Sequence, residues 1–406
     1  MKLKHWTGIF LLCILILPVS ATAREGARNW HIINRLRLEY DDNIRQVDRD
    51  TTSSWKIIEE LEFQINFNLE QTFVGLRYKP SFIWWENRSE DSTDLHHDFD
   101  FILNHEFSPN VTLSVKDTFR YAELPELIER GVVVRQENDF IYNMLKAALT
   151  YRWRPKTRLE VAGRYDLLRY DEDEVADRHD YDLYVFGLSM MHSLLPETTV
   201  GGEFRYESLD YEDVVRDLGD EIHRIRRDSE SYQFGGVMEH MFNPSLLGNA
   251  RAGLQYKDYE DSDISSETAP YIDGAITYVL SPATRITTGA SYSLFDANIF
   301  PYANQTRARL YGSIAHDLTA RVTFTLAGNY TRGEYKEGDI PAEIREQYEV
   351  PEGSESEDIY QLSSRIVYQV NRNNWVELGW QYVKLDTDVR MEYERNRFNV
   401  GWRARL

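Results

Sequence analysis

The chain has 406 residues, 46 Lys and Arg against 67 Asp and Glu, a net charge of −21 and one cysteine. So acidic a chain disfavours nucleic acid as a partner, because phosphate binding calls for clustered Lys and Arg. A single cysteine excludes an internal disulfide framework and cysteine metal sites, and a chain this long without a linker exceeds most single soluble cores.

The N-terminus reads as an export signal. Lys2 and Lys4 precede an apolar run from Gly8 to Leu17, Pro18 ends it, and Ala21-Thr22-Ala23 supplies small residues for cleavage. Roughly 20 apolar residues are needed to cross a bilayer as a helix, so a signal peptide over 1–23 is expected rather than an anchor. Cys13 lies within that run behind the bulky Leu12, which argues against lipid attachment. Cleavage leaves 24–406 with no cysteine and a charge of 44 − 67 = −23. No later stretch is long and apolar, and mean hydropathy is negative, which excludes a bundle of membrane helices.

From there the chain alternates. Transmembrane β-barrels place apolar residues outward and polar residues inward over stretches of about ten residues. In Arg285–Leu294, Ile286, Thr288, Ala290, Tyr292 and Leu294 share one face, while Arg285, Thr287, Gly289, Ser291 and Ser293 share the other. Val322–Tyr330 and Val376–Tyr382 repeat the pattern. Tight connections alternate with long acidic ones. The tight ones are centred on Glu70, Pro109, Pro155, Pro196, Pro244, Pro282, Thr319 and Arg372, and proline both presets a turn and is excluded from strand interiors. Eight tight turns and nine long loops make 17 connections, hence 18 strands with both termini on the periplasmic side. The expected fold is an all-β, antiparallel up-and-down barrel with short periplasmic turns and long acidic outer loops.

Four places resist the simple pattern. Pro80 falls inside a strand, where a bulge is expected, and Tyr181–Met191 is apolar on both faces. Leu124–Arg130 and Pro341–Tyr348 have helical spacing within outer loops. The acidic clusters Asp171–Glu174 and Glu260–Asp263 lack the glycine-turned spacing of a calcium loop and read as solvated faces. Tyrosines and tryptophans such as Trp84, Trp85, Trp153 and Trp375 fall at strand ends, at the expected headgroup level.

The inward phase assigns a lumen-lining set. Its cations are Arg35, Arg37, Arg77, Lys79, Lys116, Arg120, Lys146, Arg164, Arg205, Arg285, Arg307, Arg309, Arg321 and Arg403. Its carboxylates are Glu60, Glu62, Asp98, Asp100, Glu106, Glu160, Glu203, Glu239 and Glu377. Barrels of 16 to 18 strands leave an aqueous interior, and rings of charge there select solutes. An alternative is that opposite charges simply pair along the wall. No G-x-S-x-G, H-E-x-x-H or phosphate-binding loop occurs, and the closest histidine group, His96-His97 with Asp94 and Asp98, has no serine at a diagnostic spacing. Neither an enzyme nor a cofactor is expected.

The final segment, Phe398, Val400, Trp402, Ala404 and Leu406, alternates to the last residue and resembles the C-terminal signal read by the barrel-assembly machinery, with Leu406 where phenylalanine is usual. The segment Tyr302–Arg321 (YANQTRARLYGSIAHDLTAR), followed by another alternating strand, resembles the family called Putative beta-barrel porin 2. That resemblance implies an outer-membrane barrel of porin type, with some members linked to exopolysaccharide loci. The expected function is a passive or weakly selective channel for small hydrophilic or anionic solutes, with lipid, lipopolysaccharide and the assembly machinery as partners. An exopolysaccharide-export barrel and an adhesive barrel with an occluded lumen are the alternatives.

Overall fold

The computed structural model describes residues 29–406 apart from 89–91, 123–125, 130–131, 136–138, 212–213, 218–221, 226–227, 261–263, 298–301, 303, 337–354 and 390. The expected signal peptide and the helical reading of Pro341–Tyr348 fall outside the described residues. The barrel wall opens with β1 (Trp30–Asp41), β2 (Ser54–Asn68), β3 (Thr72–Trp85), β4 (Thr93–Ser108) and β5 (Val111–Ala122). After a small hairpin, β6 (Glu126–Glu129) and β7 (Val132–Arg135), it continues with β8 (Phe140–Arg154) and β9 (Thr157–Tyr170). Helix α1 (Asp173–His179) leads into β10 (Tyr181–Leu195) and β11 (Thr198–Tyr211). A second hairpin, β12 (Val214–Asp217) and β13 (Ile222–Ile225), precedes β14 (Ser229–Asn243), β15 (Leu246–Tyr259), β16 (Glu267–Ser281) and β17 (Thr284–Asp296). The last strands are β18 (Asn304–Thr319), β19 (Val322–Lys336), β20 (Glu355–Asn371), β21 (Asn374–Thr387) and β22 (Tyr393–Arg405).

Eighteen of these strands form one sheet in which each pairs antiparallel with the next, and β1 pairs with β22 to close the ring. The protein is thus a closed, all-β, 18-stranded antiparallel barrel. The alternation that organises the sequence is realised in the wall. On β10, Tyr184, Phe186, Leu188 and Met190 stand exposed on the outside. Tyr181 and Leu183 are buried on the inside, where they cluster with Phe140, Leu168, Tyr170 and Leu209, and Val175 and Ala176 of α1 pack on that cluster. This explains why β10 is apolar on both faces: one side meets lipid, the other meets a loop helix.

Seven of the eight periplasmic hairpins carry the same irregularity. One extra residue sits on the incoming strand just before the turn: Phe107, Trp153, Leu194, Phe242, Leu280, Leu318 and Val370. All seven are apolar. The turns themselves are capped locally, for Asn243 Oδ1 accepts from the Ser245 amide at 2.9 Å and Asn371 Oδ1 from the Asn373 amide at 2.9 Å. Four outward histidines lie beside these turns, each bonded to the threonine opposite: Thr72–His105, Thr157–His192, Thr198–His240 and Thr284–His316, at 2.8 to 2.9 Å.

Two sequence expectations are corrected. Pro80 makes no bulge: Glu60 faces Ser81 and Phe63 faces Tyr78 in one unbroken register, with no ladder pairs between them. Proline has no N–H to donate, so the ladder to β2 skips those positions, while the ladder to β4 runs on through Pro80 and His97. Within Leu124–Arg130, residues Glu126–Glu129 are a strand paired with Val132–Arg135 rather than a helix. The run Val132-Val133-Val134 favours extended backbone, and pairing across a short turn overrides weak helical spacing.

Glycine is required where a long side chain crosses the inner wall. Tyr271 on β16 lies over β15 and β14 to donate a hydrogen bond to Glu203 of β11 at 2.9 Å. A Cβ on Gly253 would come within 2.0 Å of the Phe234 carbonyl oxygen and 2.7 Å of the Tyr271 ring. Gly253→Val is therefore expected to destabilise the barrel by about 1–3 kcal/mol, read as a lowered urea midpoint of the heat-modifiable gel band, whereas Ala250→Val on the lipid face leaves that midpoint in place.

Candidate functional site: the barrel lumen

The lumen is shaped by three segments that fold inward over its outer half. The first is the β1–β2 loop. Asn43 and Gln46 are buried there, and Asn43 Nδ2 donates to the Val47 and Glu394 carbonyls at 2.8 and 2.9 Å. The second is α1. The third is the outer end of the β17–β18 hairpin. β17 pairs with β16 only as far as Tyr292, although β16 runs on to Glu267 alongside β15. Beyond Tyr292 the strand leaves the wall and lies across the inside of β14–β16. Ser293 Oγ donates to Gln255 Oε1 at 3.0 Å, Gln255 Nε2 donates to the Leu294 carbonyl at 3.1 Å, and Ser229 Oγ donates to Asp296 at 3.1 Å. Lys257, almost wholly buried, pairs with Asp296. This strip buries Asn304, Gln305, Thr306 and Arg307 together with Ala269 and Tyr271 of the wall behind it.

Among the described residues, cavities lie beneath these segments on two sides of the lumen. One of about 350 Å³ lies against β1–β5 and β22, lined by Arg37, Lys56, Lys79, Arg120, Arg395 and Arg397 among its cations and by Glu39, Glu60, Asp94 and Asp98. The other, of about 740 Å³, is lined by Lys146, Arg158, Arg164, Arg205, Arg251 and Arg309 with Glu160, Glu203, Glu207, Glu239 and Asp273. The balances are 6 − 4 = +2 and 6 − 5 = +1, positive in each case within a chain of charge −21.

Most sequence-assigned lumen residues are brought together here in ladders of ion pairs. Glu60 accepts from Arg35 at 3.3 Å, Arg37 at 3.4 Å and Lys79 at 3.2 Å. Asp98 pairs with Lys79 at 3.0 Å and Arg120 at 2.6 Å, and Asp100 with Arg77 at 2.6 Å. Glu62 lies 3.8 Å from Arg77. Glu377 holds Arg365 at 2.7 Å, Arg403 at 3.2 Å and Arg35 at 3.6 Å. Across the lumen, Glu160 accepts from Thr150 at 3.3 Å, Arg164 is paired with Asp166, and Arg309 Nε donates to Asn329 at 2.5 Å. Arg205 lines the larger cavity, and Arg307 lies in the inward strip with its guanidinium 4.6 Å from the Phe295 ring centre. Arg285 faces inward near the periplasmic end, outside both cavities.

Arg321 is a correction. It belongs to the exposed Ala320–Arg321 turn between β18 and β19, so it sits at the periplasmic rim rather than on the lumen wall. Residues missed by sequence reasoning include Lys56, Arg251, Arg365 and Arg395. Each stands on the inward phase of its strand, and only a complete strand alignment reveals them. The histidine group is split by strand alternation. His96 faces the cavity, while His97 faces outward against Tyr78 Oη at 2.9 Å. Asp94 is engaged by Trp85 Nε1 at 2.7 Å and by Arg88, and His96 Nε2 has no hydrogen-bond partner among the described residues although Ser81 lies opposite it in the ladder. That geometry does not assemble a nucleophile–base pair.

At the outer rim, beyond the spanning strands, burial pushes the carboxyl groups of Asp139 and Asp228 above the ordinary range, helped by Asp171 near the first and Glu260 near the second. These two carboxylates are accordingly protonated at a higher pH than an ordinary aspartate.

Residues 35–406, nearly the whole described barrel, match the family model Putative beta-barrel porin 2. The chain belongs to this family. As a Putative beta-barrel porin 2 member with a closed transmembrane ring, it is an outer-membrane protein of porin type. Among solved structures it is similar to Pseudomonas aeruginosa OccK5 (OpdH) at 12% identity, covering 93% of this chain and 98% of that one, with a TM-score of 0.49. It is also similar to Acinetobacter baumannii OccAB3 (12%, covering 93% and 100%, TM-score 0.46). A third is P. aeruginosa OccK2 (OpdF) in complex with glucuronate (10%, covering 93% and 98%, TM-score 0.49). No curated protein matches the sequence.

Proposed function

We propose that this porin conducts small anionic solutes through a constriction in its outer half. The carrying observation is the charge inversion: both lumen cavities have an excess of cations inside an otherwise acidic protein. Guanidinium groups fixed by ion pairs along the wall present remaining N–H donors to a passing carboxylate or phosphate at little entropic cost. Acidic outer loops then repel anions at long range, so discrimination rests on the lumen, where screening is weaker.

The test is reversal potential in a planar bilayer under a salt gradient, with folding verified by heat-dependent gel mobility. Anion preference is expected, and Arg37→Glu combined with Arg205→Glu shifts it toward cations. A cation-preferring wild type overturns the reading. A silent bilayer with folded protein favours a second one, a barrel occluded by its inward β17–β18 end. Export cleavage after Ala23, recognition of Phe398–Leu406 by the assembly machinery, and lipopolysaccharide contact with the outer wall belong to the same proposal.

A further inference from the structure

The periplasmic rim follows a pairing rule. Two residues before each of the seven extra apolar residues, the returning strand carries a histidine or a tyrosine. Where the residue opposite on the preceding strand is threonine, the position is histidine, as in the four threonine–histidine pairs. Where it is apolar, the position is tyrosine: Val111–Tyr151, Leu246–Tyr278 and Val322–Tyr368. Tyrosine on an apolar neighbour is sufficient for packing at the headgroup level. The threonine serves the imidazole, whose Nδ1 it bonds. Among the described residues, Nε2 of each of the four histidines has no protein partner. A hydroxyl that donates to Nδ1 leaves the proton on Nε2, so each ring presents a fixed N–H donor at the rim.

One of the four pairs, Thr157–His192, has cations beside it. The β8–β9 turn is Arg154-Pro155-Lys156, and both cations are exposed and not ion-paired among the described residues. Arg154 stands opposite Thr157, and Thr157 opposite His192, in one row across β8, β9 and β10. The Arg154 guanidinium lies 4.9 Å from the ring centre of the exposed Trp153, which fixes it on the outer surface. The Lys156 carbonyl accepts from the Ser193 amide at 2.8 Å, holding the turn against β10. Two strand spacings of about 4.8 Å separate Arg154 from His192, a span that lets guanidinium and imidazole reach one phosphate from opposite sides. The other three pairs lack such neighbours: Glu70-Gln71 precede Thr72, Glu197 precedes Thr198, and Pro282-Ala283 precede Thr284. We propose that Arg154, Lys156 and His192 bind the phosphate of an anionic phospholipid in the periplasmic leaflet, with the exposed Trp153 and Leu194 against its upper acyl chains. Guanidinium and ammonium groups give charge-assisted bonds to phosphate oxygens and repel the ammonium of a zwitterionic headgroup.

The experiment is native mass spectrometry of the refolded, delipidated barrel in detergent, titrated with phosphatidylglycerol and with phosphatidylethanolamine. The wild type is expected to hold one phosphatidylglycerol at least about ten-fold more tightly than phosphatidylethanolamine. Arg154→Gln with Lys156→Gln is expected to abolish that preference. Thr157→Val with His192→Tyr, which installs the pair native at Val111–Tyr151, is expected to stay folded by gel mobility and to weaken phosphatidylglycerol by about five-fold. Thr198→Val with His240→Tyr, beside an acidic turn, is expected to leave it unchanged. A wild type without the preference overturns the proposal, as does a folded Arg154–Lys156 or Thr157–His192 variant that binds like the wild type. An equal loss in the Thr198–His240 variant overturns it too, because the rim then attracts lipid without a site. So does displacement of the lipid by millimolar glycerol phosphate, since the ligand is then a soluble phosphate.

Discussion

Asp41→Ala is expected to lower barrel stability by about 3–5 kcal/mol, the range for stripping one partner from a buried charge network. Asp41 is fully buried at the outer end of the closing ladder. It accepts from Arg395 of β22 through two bonds at 2.9 and 2.5 Å and from Lys56 of β2 at 2.8 Å, and Lys56 also reaches Glu39 at 2.8 Å. These groups therefore bind the first two strands to the last, residues 354 apart in sequence. Without the carboxylate, the buried Arg395 and Lys56 lose the acceptor they share. The seam is also short, with nine ladder pairs from Ile33 to Asp41 against twelve between β1 and β2. The urea midpoint of the heat-modifiable band measures the loss. A comparable shift from Asp386→Ala, whose carboxylate is largely exposed at 53% and 3.6 Å from Lys384, would remove the special role given to burial.

Replacing Ser293–Arg307 by an Asn-Gly turn is expected to raise single-channel conductance at least about two-fold, because the strip narrowing the outer lumen is gone. The barrel is expected to survive, since β16 and β17 already part at Tyr292 and the remaining ladder from Ile272 downward is untouched. Lys257 loses Asp296 but gains water, so no buried charge is stranded. Planar-bilayer recordings at high salt decide the matter. Unchanged conductance in a correctly folded variant means that solutes pass elsewhere and that the strip is structural.

The sequence carries the wall well because its physical constraints are local. A period of two follows from the strand itself, proline marks turns through its fixed dihedral, and seven extra apolar residues before those turns leave the alternation intact up to the bulge. Phase in turn assigns Glu60, Asp98, Arg120 and Glu377 to the lumen. Arg321 escaped because a two-residue turn begins at Ala320, and one position separates wall from rim. The inward bend of β17 has no local signature: Ser293, Asp296 and Asn304–Arg307 look like any outer strand end, and partners two and three strands away, Gln255, Lys257 and Ser229, explain where they go. The Asp41–Arg395 pair is likewise invisible, since a seam joins the two ends of a chain whose sequence gives no measure of closure.

The seven turn-proximal bulges have a consequence for where the barrel floats. Phe107, Trp153, Leu194, Phe242, Leu280 and Leu318 are each more than half exposed and, with Val370, form a collar at one level only; no matching collar exists among the described outer ends, which carry tyrosines and acidic loops. Sinking toward the periplasm would draw the whole collar into water at once, at roughly 1.5–3 kcal/mol for each large side chain. Rising would drag the exposed charged turn residues beside the collar, among them Arg154, Lys156 and Arg321, into hydrocarbon. The periplasmic end therefore resists displacement in both directions, and the depth of the outer mouth follows from the length of the strands.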